Sequence, residues 1–189
     1  MGVAMHTSAV IDMATRAIYG QPLVNNVHRA TLAEAIIAAA LGEPWRWCSG
    51  DWALCDFDHP DGTRLEVKQS AAKQTWHKED EVSAKPSFDI ASRKMAWDGR
   101  GWVPSAGRNA DIYVFAFHPV VDASADHREP RQWEFYVVPT SALPPTKKIA
   151  LTALRRLAAP VPHEHLRSAV DDAHGHVLVA GRVTQGLVE

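Results

Sequence analysis

The run Ile-Tyr-Val-Phe-Ala-Phe at residues 112–117 most constrains how this chain can fold. A strand with one solvent-exposed face alternates apolar and polar side chains, whereas this run presents apolar side chains to both faces. It therefore predicts the central strand of a sheet. A further strand is predicted at residues 132–138, after a loop at residues 118–131 that contains two prolines.

A β-hairpin is predicted over residues 52–69. Residues 52–57 are rich in apolar and aromatic side chains, and residues 64–69 alternate polar with apolar ones. The His-Pro-Asp-Gly segment at residues 59–62 supplies turn chemistry between them. This pattern is typical of two antiparallel strands joined by a tight turn.

The second hairpin strand places charged side chains on one face. Glu66 and Lys68 point the same way because side chains alternate along a strand, while Leu65 and Val67 point into the core. Antiparallel pairing then brings Asp56 alongside Glu66. Placing two carboxylates together beside a lysine is energetically unfavourable unless a cation neutralises the acids. Oxygen ligands of this kind suit Mg²⁺ or Mn²⁺. The alternative interpretation is the solvated face of a half-buried sheet.

A helix is predicted over residues 28–41, where apolar side chains recur at helical spacing. Asn25 or Asn26 can cap its start, and Gly42 can end it. Glu34 falls on the flank of the apolar stripe. From its position alone, this carboxylate either reaches the metal site or faces water.

Short motifs along the chain occur in a recognisable order. They are Trp52, Cys-Asp-Phe at residues 55–57, Asp-Gly-Thr-Arg-Leu-Glu-Val-Lys at residues 61–68, Ser-Ala at residues 70–71 and Gln-Thr-Trp at residues 74–76. The pattern resembles the PD-(D/E)xK nuclease superfamily, most closely its small bacterial members with an E-V-K-x-S-A-x-x-Q-S/T-W motif. Residues 32–34, 108–115 and 132–138 extend the resemblance over most of the chain from about residue 28 onward.

The resemblance implies an α/β fold of the restriction-endonuclease-like type, a mixed β-sheet flanked by helices with an α-β-β-β-α-β core. It implies that Asp56, Glu66 and the carbonyl of Val67 bind Mg²⁺ or Mn²⁺, and that Lys68 is the cationic catalytic residue. The reaction implied is phosphodiester hydrolysis, in which the metal polarises the phosphate and lowers the pKa of a bound water.

The resemblance also implies that Glu34 is an acid on a helix near the metal, and that Gln69 or Gln74 is a polar residue that supports the site. The chain departs from the pattern at Cys55, which replaces the proline of the superfamily's name, and at Gln69, where relatives carry a small residue. Ala-Lys at residues 72–73 replaces a more usual Tyr-Leu. These changes leave the metal ligands and the lysine intact but alter the substrate contacts.

A basic segment at residues 93–108 is the candidate nucleic-acid surface. Tryptophans and glycines are interleaved with its cations, which are Arg93, Lys94, Arg100 and Arg108. A flexible basic loop with exposed aromatic side chains can bind phosphates and stack on bases. Alternatively, the tryptophans of an ordinary surface loop pack back onto the core. Arg108 pairs either with a phosphate or with a carboxylate such as Asp111.

Two closely spaced histidine pairs occur near the C-terminus, His163 with His165 and His174 with His176. Neither pair has cysteine partners or the i, i+4 spacing of a helical zinc site. We therefore expect solvent-exposed histidines rather than zinc ligands.

The length of 189 residues predicts one domain, with a lead-in at residues 1–26, a core at residues 28–138 and C-terminal helices within residues 147–173. Residues 79–81 form an acidic cluster that we expect to be solvated. The shorter predicted elements are a helix at residues 12–19, a short strand within 43–50, a strand covering the site at 87–91, an amphipathic helix at 147–157 and a last helix at 165–173.

Composition limits the partners. A net charge of −2 excludes nucleic-acid binding through bulk positive charge, so a polyanion has to meet a local basic patch. The chain has two cysteines without metal-type spacing and no recognisable signal peptide, so we expect a cytoplasmic protein. No apolar run approaches the roughly 20 residues of a membrane span. Signatures of P-loop and serine-hydrolase chemistry are missing from the sequence.

The sequence therefore predicts a magnesium-dependent nuclease acting on DNA. A second hypothesis is a catalytically inactive module on the same fold that binds nucleic acid or a protein. A third is a subunit of a restriction or defence system that acts with a partner subunit. A homodimer is compatible with the nuclease because cutting both strands needs two sites.

Overall fold

The computed structural model describes residues 6–48, 53–78, 81, 85–97 and 100–185, with side chains described up to residue 180. The helices are α1 (Thr7–Tyr19), α2 (Asn26–Leu41), α3 (Leu151–Leu157) and α4 (Leu166–Gln185). The strands are β1 (Arg46–Trp47), β2 (Phe57–Asp58), β3 (Arg64–Ala71), β4 (Ser87–Asp89), β5 (Arg93–Trp97), β6 (Trp102–Gly107), β7 (Ile112–His118), β8 (Glu134–Pro139) and β9 (Lys148–Ala150). Single turns of 3₁₀ helix lie at Pro130–Gln132, Thr140–Ala142 and His163–His165.

The main sheet is mixed and has the strand order β1-β2-β3-β7-β8. Strands β3 and β7 run parallel, with Val67 opposite Val114, and the other neighbouring pairs are antiparallel. Every residue of β7 is buried, which confirms the strand predicted from its apolar run. It lies inside the sheet, although β3 is the middle strand of the five. The α/β class with a mixed sheet is thus confirmed.

Helices cover both faces of this sheet. Alternate side chains of β7 enter two separate core clusters, because successive residues of a strand point to opposite faces. The cluster beneath α2 and α4 includes Ile37, Val67, Val114, Phe135 and Leu166. The cluster beneath α3, β4 and β9 includes Phe88, Phe115, Tyr136, Ile149 and Leu154.

Helix α2 forms as predicted. The side chain of Asn25 accepts a hydrogen bond from the backbone N–H of His28 at 3.1 Å, which caps the first turn. Gly42 ends the helix with a φ of 56°, a left-handed conformation that favours glycine. The short strand predicted within residues 43–50 is β1, and the helix predicted at residues 12–19 is the longer α1.

The predicted first hairpin strand is wrong over most of its described part. Strand β2 has only two residues, and residues 53–56 belong to no strand, while Trp52 lies outside the described residues. The backbone of Asp56 still donates to the carbonyl of Leu65 at 3.1 Å. Beyond this bond, the next N–H on the same edge of β3, that of Val67, donates to the side chain of Asp56 instead of to a backbone carbonyl.

Two C-terminal helices also differ from the sequence prediction. The helix predicted at residues 147–157 starts only at Leu151, because the preceding residues form β9 and pair with β4. That pairing buries Ile149 against Phe88, its partner across the ladder. The last helix extends to Gln185, well beyond residue 173, with mostly half-exposed or exposed side chains after the buried Ala173. No helix of the described residues is long and apolar enough to cross a membrane.

The basic segment at residues 93–108 is a hairpin of β5 and β6 rather than a flexible loop. Trp97 and Trp102 face each other across it, with ring centroids 5.8 Å apart and the planes at 69°. An edge-to-face tryptophan pair of this kind stabilises a two-stranded ribbon. Asp98 and Gly99, which follow β5 in the chain, lie outside the described residues.

Candidate active site

Asp56 is held against β3 by the backbone. Its Oδ2 accepts a hydrogen bond from the N–H of Val67 at 2.6 Å. Burial and the neighbouring Glu66 carboxylate raise the pKa of Asp56 to about 7, although the Val67 hydrogen bond opposes this shift. The predicted approach of Asp56 to Glu66 is thus confirmed, and the two acids repel each other in a half-buried position.

Strand β3 presents its charged residues as the alternation predicts. Leu65 and Val67 are buried, whereas the side chains of Glu66 and Lys68 are 21% and 24% exposed. The Nζ of Lys68 forms an ion pair with Oε1 of Glu66. The only cation in close contact with these acids is therefore already shared with one of them, as far as the described residues show.

Glu34 on α2 faces this cluster rather than open water. The indole Nε1 of Trp47 donates to Oε2 of Glu34 at 3.0 Å, which fixes the carboxylate near the end of β1. Burial raises the pKa of Glu34, and the charge of Glu66 adds to the shift. The charge of Glu66 raises the pKa of both Glu34 and Asp56, and the charge of Lys68 opposes this for both of them.

Two cavities meet at Lys68 and Asp89, which border both of them. One has a volume of about 270 Å³, and Glu34, Asp56 and Val67 lie along it. The other has a volume of about 260 Å³ and is bordered by a larger set: Glu66, Ala53, Leu54, Ala91, Arg93, Met95, Ala96, Trp97, Trp102, Arg108, Asn109 and Tyr113. The acids thus line a cleft between helix α2 and the β5–β6 hairpin, and β4 lies beside it as the predicted covering strand.

Arg93 lies at the edge of this cleft. Its guanidinium forms an ion pair with Asp89 at 2.8 Å, and both side chains are about half exposed. Lys94 and Arg100 are exposed as well, so three predicted nucleic-acid-binding cations lie on the hairpin surface. Tyr113 pairs in register with Glu66 from the next strand, and burial raises the pKa of its hydroxyl to about 12.

Arg108 has a different environment. Its guanidinium donates to the backbone carbonyls of Ile90 at 2.7 Å and Pro144 at 2.5 Å, with longer contacts to Leu143 and Thr146. The pairing with Asp111, one of the two alternatives for Arg108, does not form, and that carboxylate instead accepts the backbone N–H of residue 64 at 2.9 Å. Arg108 therefore ties the hairpin to the segment before β9.

Gln74 and Gln69 do not contact the acids. Both accept hydrogen bonds from the buried side chain of Arg29, at 2.8 Å to Gln74 and 2.7 Å to Gln69. Gln74 also donates to the carbonyl of Ala71 at 2.8 Å. The glutamines therefore support α2 and the end of β3, which carry Glu34 and the other charged residues of the cleft.

Sequence reasoning missed three residues around the site, Arg29, Trp47 and Asp89. A signal existed for Arg29, which falls in the buried stripe of α2 together with Ala33 and Ile37. Nothing in the sequence indicated that Trp47 binds Glu34 or that Asp89 pairs with a cation beside the cleft, because both contacts depend on the packing of separate elements.

The acidic residues fit a hard divalent ion bound through few protein ligands. Among the described residues, Asp56, Glu66 and Glu34 do not form a cage of three acids whose oxygens all lie within 4.8 Å of one another. Mg²⁺ usually takes one or two carboxylates and keeps several waters, so Asp56, Glu66 and the Val67 backbone are a sufficient set. The raised pKa of Asp56 also fits, because a divalent ion would relieve the repulsion of its charged form.

The histidine prediction is wrong for two of the four residues. His165 and His176 are exposed, but His163 and His174 are half-buried. Nε2 of His174 lies 2.7 Å from Oδ2 of Asp61, a residue 113 positions earlier in the chain. Helix α4 thus brings one histidine onto the β2–β3 turn.

No protein-family model and no curated protein matches this chain. The nuclease resemblance therefore remains a prediction, and the function has to be inferred from the cleft itself.

Proposed function

We propose that this protein is a metal-dependent nuclease that hydrolyses phosphodiester bonds of DNA. One observation carries the proposal: Asp56 and Glu66 are held together, half-buried, beside Lys68, with the pKa of Asp56 raised to about 7. Strongly shifted carboxylates in a cleft are characteristic of functional sites rather than of structural ion pairs on a surface. A divalent cation would neutralise the two carboxylates, and Lys68 would then lie beside the phosphate that the cation binds.

The roles of the residues follow from their contacts. Asp56, Glu66 and the carbonyl of Val67 would hold Mg²⁺ or Mn²⁺, which when bound polarises the phosphate and lowers the pKa of a water. The Val67 N–H orients Asp56 through Oδ2 and leaves Oδ1 available for the ion. Lys68 provides an ammonium that stabilises the negative charge developing on the phosphate. Glu34, fixed by Trp47, adds a third carboxylate that can orient a metal-bound water.

A DNA strand is the substrate that we propose for this cleft. Its two adjoining cavities share Lys68 and Asp89, so together they offer a bound strand more room than either cavity alone. Arg93, Lys94 and Arg100 provide a local basic patch on a chain whose net charge is −2. Trp97 and Trp102 border the same cleft, and aromatic side chains of this kind stack on unpaired bases.

The test is cleavage of single- and double-stranded DNA by the purified protein with Mg²⁺ or Mn²⁺. Lys68→Ala should lower the cleavage rate by roughly 100-fold or more, because it removes a charge that stabilises the transition state. Lys147→Ala is the matched control, since Lys147 is an exposed lysine that borders neither cavity of the cleft. Absence of cleavage with either ion, or an unchanged rate in Lys68→Ala, would overturn the mechanism.

A non-catalytic binding module is the second candidate function. The ion pair between Lys68 and Glu66 favours it, because this pairing gives both groups a structural role that needs neither a metal nor a substrate. Titration calorimetry separates the two candidates. DNA binding without any Mg²⁺ binding that depends on Asp56 and Glu66 would favour the module.

A further inference from the structure

Three potential ligand side chains converge at the β2–β3 turn, apart from the acids of the cleft. They are His59 and Asp61 in the turn and His174 on α4, and one ligand atom of each lies within 4.8 Å of the other two. Nδ1 of His59 is 2.9 Å from Oδ1 of Asp61, and Nε2 of His174 is 2.7 Å from Oδ2. The described residues contain no other such group of histidine, cysteine and acidic side chains.

The turn holds its two ligands in place. The backbone N–H of His59 donates to the carbonyl of Thr63 at 2.9 Å, and the N–H of Gly62 donates to the carbonyl of His59 at 2.9 Å. Gly62 has a φ of 92°, which only glycine adopts without strain. Oδ1 of Asp61 accepts the N–H of Thr63 at 3.0 Å. The carboxylate and the His59 ring are therefore positioned before α4 adds the third side chain.

Both imidazoles pack against one buried tryptophan. The ring of Trp45 lies 5.0 Å from that of His59 and 5.5 Å from that of His174, measured between centroids. The histidine side chains are only 17% and 13% exposed, whereas Asp61 is 31% exposed. The group thus has an apolar wall on one side and access to solvent at the carboxylate, so an ion can enter without rearrangement of the core.

We propose that His59, Asp61 and His174 form a zinc-binding site that fastens helix α4 to the β2–β3 turn. Two imidazoles and one carboxylate are ligands that Zn²⁺ accepts in tetrahedral geometry, with a water in the fourth position. The donor set favours Zn²⁺ over Mg²⁺, which prefers oxygen ligands. The site shares no residue with the acidic cleft, so it stands independently of the proposed nuclease activity.

Only small movements separate the observed contacts from coordination. Zn–N and Zn–O bonds of about 2.0–2.2 Å place tetrahedral ligand atoms a little over 3 Å apart. The two observed N–O distances of 2.9 and 2.7 Å are close to this value, and one ligand atom of each residue lies within 4.8 Å of the other two. Zn²⁺ would bind Nδ1 of His59 and Nε2 of His174 as unprotonated nitrogens, so each neutral ring would carry its proton on the other nitrogen. The remaining carboxylate lone pairs still accept the Thr63 N–H.

The experiment titrates Zn²⁺ into protein without a polyhistidine tag, by calorimetry and by competition with a chromophoric chelator. Co²⁺ serves as a second probe, because tetrahedral coordination gives it strong visible absorption. We expect saturable binding of one ion per chain. His174→Ala should bind Zn²⁺ at least about tenfold more weakly. Even the loss of a residue that only hydrogen-bonds to a metal-binding side chain weakens metal binding about tenfold or more.

Matched controls separate this site from the other histidines and from the cleft. His176→Ala removes an exposed histidine two positions away on the same helix and should bind as the wild type does. Asp56→Asn should also retain Zn²⁺ binding, so a failed nuclease assay leaves this test intact. Asp61→Asn keeps an oxygen for the Thr63 N–H but loses the carboxylate, so it should fold and bind weakly.

Two outcomes would overturn the proposal. One is the absence of saturable Zn²⁺ or Co²⁺ binding by the wild type, in which case the three residues form only a hydrogen-bonded contact. The other is a folded Asp61→Asn or His174→Ala variant, verified by circular dichroism, that binds Zn²⁺ as tightly as His176→Ala. Because the readout is ion binding, neither outcome depends on DNA cleavage.

Discussion

The guanidinium of Arg29 donates from Nη1 to Oε1 of Gln74 at 2.8 Å, in the interior behind the cleft. It also donates to the side chains of Gln69 at 2.7 Å and Asn26 at 2.8 Å. Arg29 is only 1% exposed, and its hydrogen-bond partners are neutral amides and the carbonyl of Val24. Burial lowers its pKa to about 10. A single cation thus links helix α2 to the end of β3.

Replacing Arg29 by methionine should destabilise the fold by roughly 2–4 kcal/mol. Each buried acceptor left without a donor costs about 1–3 kcal/mol, and methionine fills only part of the space. Arg46→Met is the control, because the Arg46 side chain is 76% exposed and its ion pair with Asp58 lies at the surface. Urea denaturation measures both variants. Equal stabilities would show that the Arg29 contacts contribute little.

Asp56→Asn should stabilise the metal-free protein while abolishing cleavage. Asparagine keeps an oxygen for the Val67 N–H but removes the charge that burial and Glu66 disfavour. Because the folded-state pKa is raised, protonated Asp56 contributes to the free energy of unfolding of the wild type. This contribution is fully present below about pH 4 and is lost as the pH rises through about 7. The variant lacks that loss, so at about pH 8 it should be more stable by roughly 1–4 kcal/mol.

Urea denaturation in the presence of a chelator checks this expectation at about pH 4 and pH 8. Asp58→Asn is the control on the neighbouring strand, because its hydrogen bond with Arg46 lowers the pKa of Asp58 instead. That variant should not be stabilised at either pH. A lower stability of Asp56→Asn than of wild type at the higher pH would show that the Asp56 charge is not strained in the folded protein.

Mg²⁺ should stabilise the wild type more at about pH 8 than at about pH 5, because Asp56 must lose its proton to bind the ion. The stabilisation by Mg²⁺ should begin to decrease as the pH falls below the pKa of about 7 of Asp56. Thermal melts with and without saturating Mg²⁺ measure the difference at each pH. A shift in melting temperature that is the same at both, or that persists in Asp56→Asn, would show that Asp56 is not a ligand.

Strands β3, β7 and β8 and helix α2 were predictable because their signals are local. The apolar run at residues 112–117 reflects the burial of β7 on both faces, and such a run is typical of an interior strand. Glu66 and Lys68 alternate with Leu65 and Val67, so the period of a half-buried strand was visible in the sequence. The charged face of the site followed directly from that period.

The β5–β6 hairpin and the position of His174 were not predictable, because they depend on contacts between distant segments. The β5–β6 hairpin is held by Trp97 against Trp102 and by Arg108, whose carbonyl partners lie up to 38 residues further along the chain. Single-sequence patterns do not contain that information, and glycine and proline in the segment favoured a loop. His174 was expected in solvent for the same reason, because its partner Asp61 lies 113 residues away.

His127 should make the protein sensitive to acid. It is fully buried, its Nδ1 accepts the Val24 N–H at 3.0 Å, and its Nε2 lies 3.2 Å from the carbonyl of Lys73. These contacts require the neutral ring with its proton on Nε2. Burial lowers the pKa of His127 to about 4. The neutral ring therefore contributes fully to the free energy of unfolding above the ordinary pKa of histidine, and this contribution is lost as the pH falls toward 4.

The loss amounts to roughly 3 kcal/mol over this range, because each pKa unit corresponds to about 1.4 kcal/mol. Unfolding free energies of His127→Asn and wild type, measured between about pH 7 and pH 4, should converge as the pH falls. His176→Asn, in which an exposed histidine is replaced, should run parallel to the wild type. A constant difference between His127→Asn and wild type would show that His127 titrates alike in the folded and unfolded states.

Lys94 and Arg108 should differ in their effect on DNA binding, although both belong to the basic segment. Lys94 is exposed on the hairpin, so Lys94→Ala should weaken DNA binding and reduce the slope of log affinity against log salt by about 0.7–0.9 for each lost phosphate contact. Arg108 donates to the carbonyls of Ile90 and Pro144, so Arg108→Ala should lower the melting temperature and leave that slope unchanged. Fluorescence anisotropy with labelled DNA at several salt concentrations, without divalent ions, measures the slopes. If Arg108→Ala keeps its stability and reduces the slope as Lys94→Ala does, Arg108 binds phosphate and its backbone contacts are secondary.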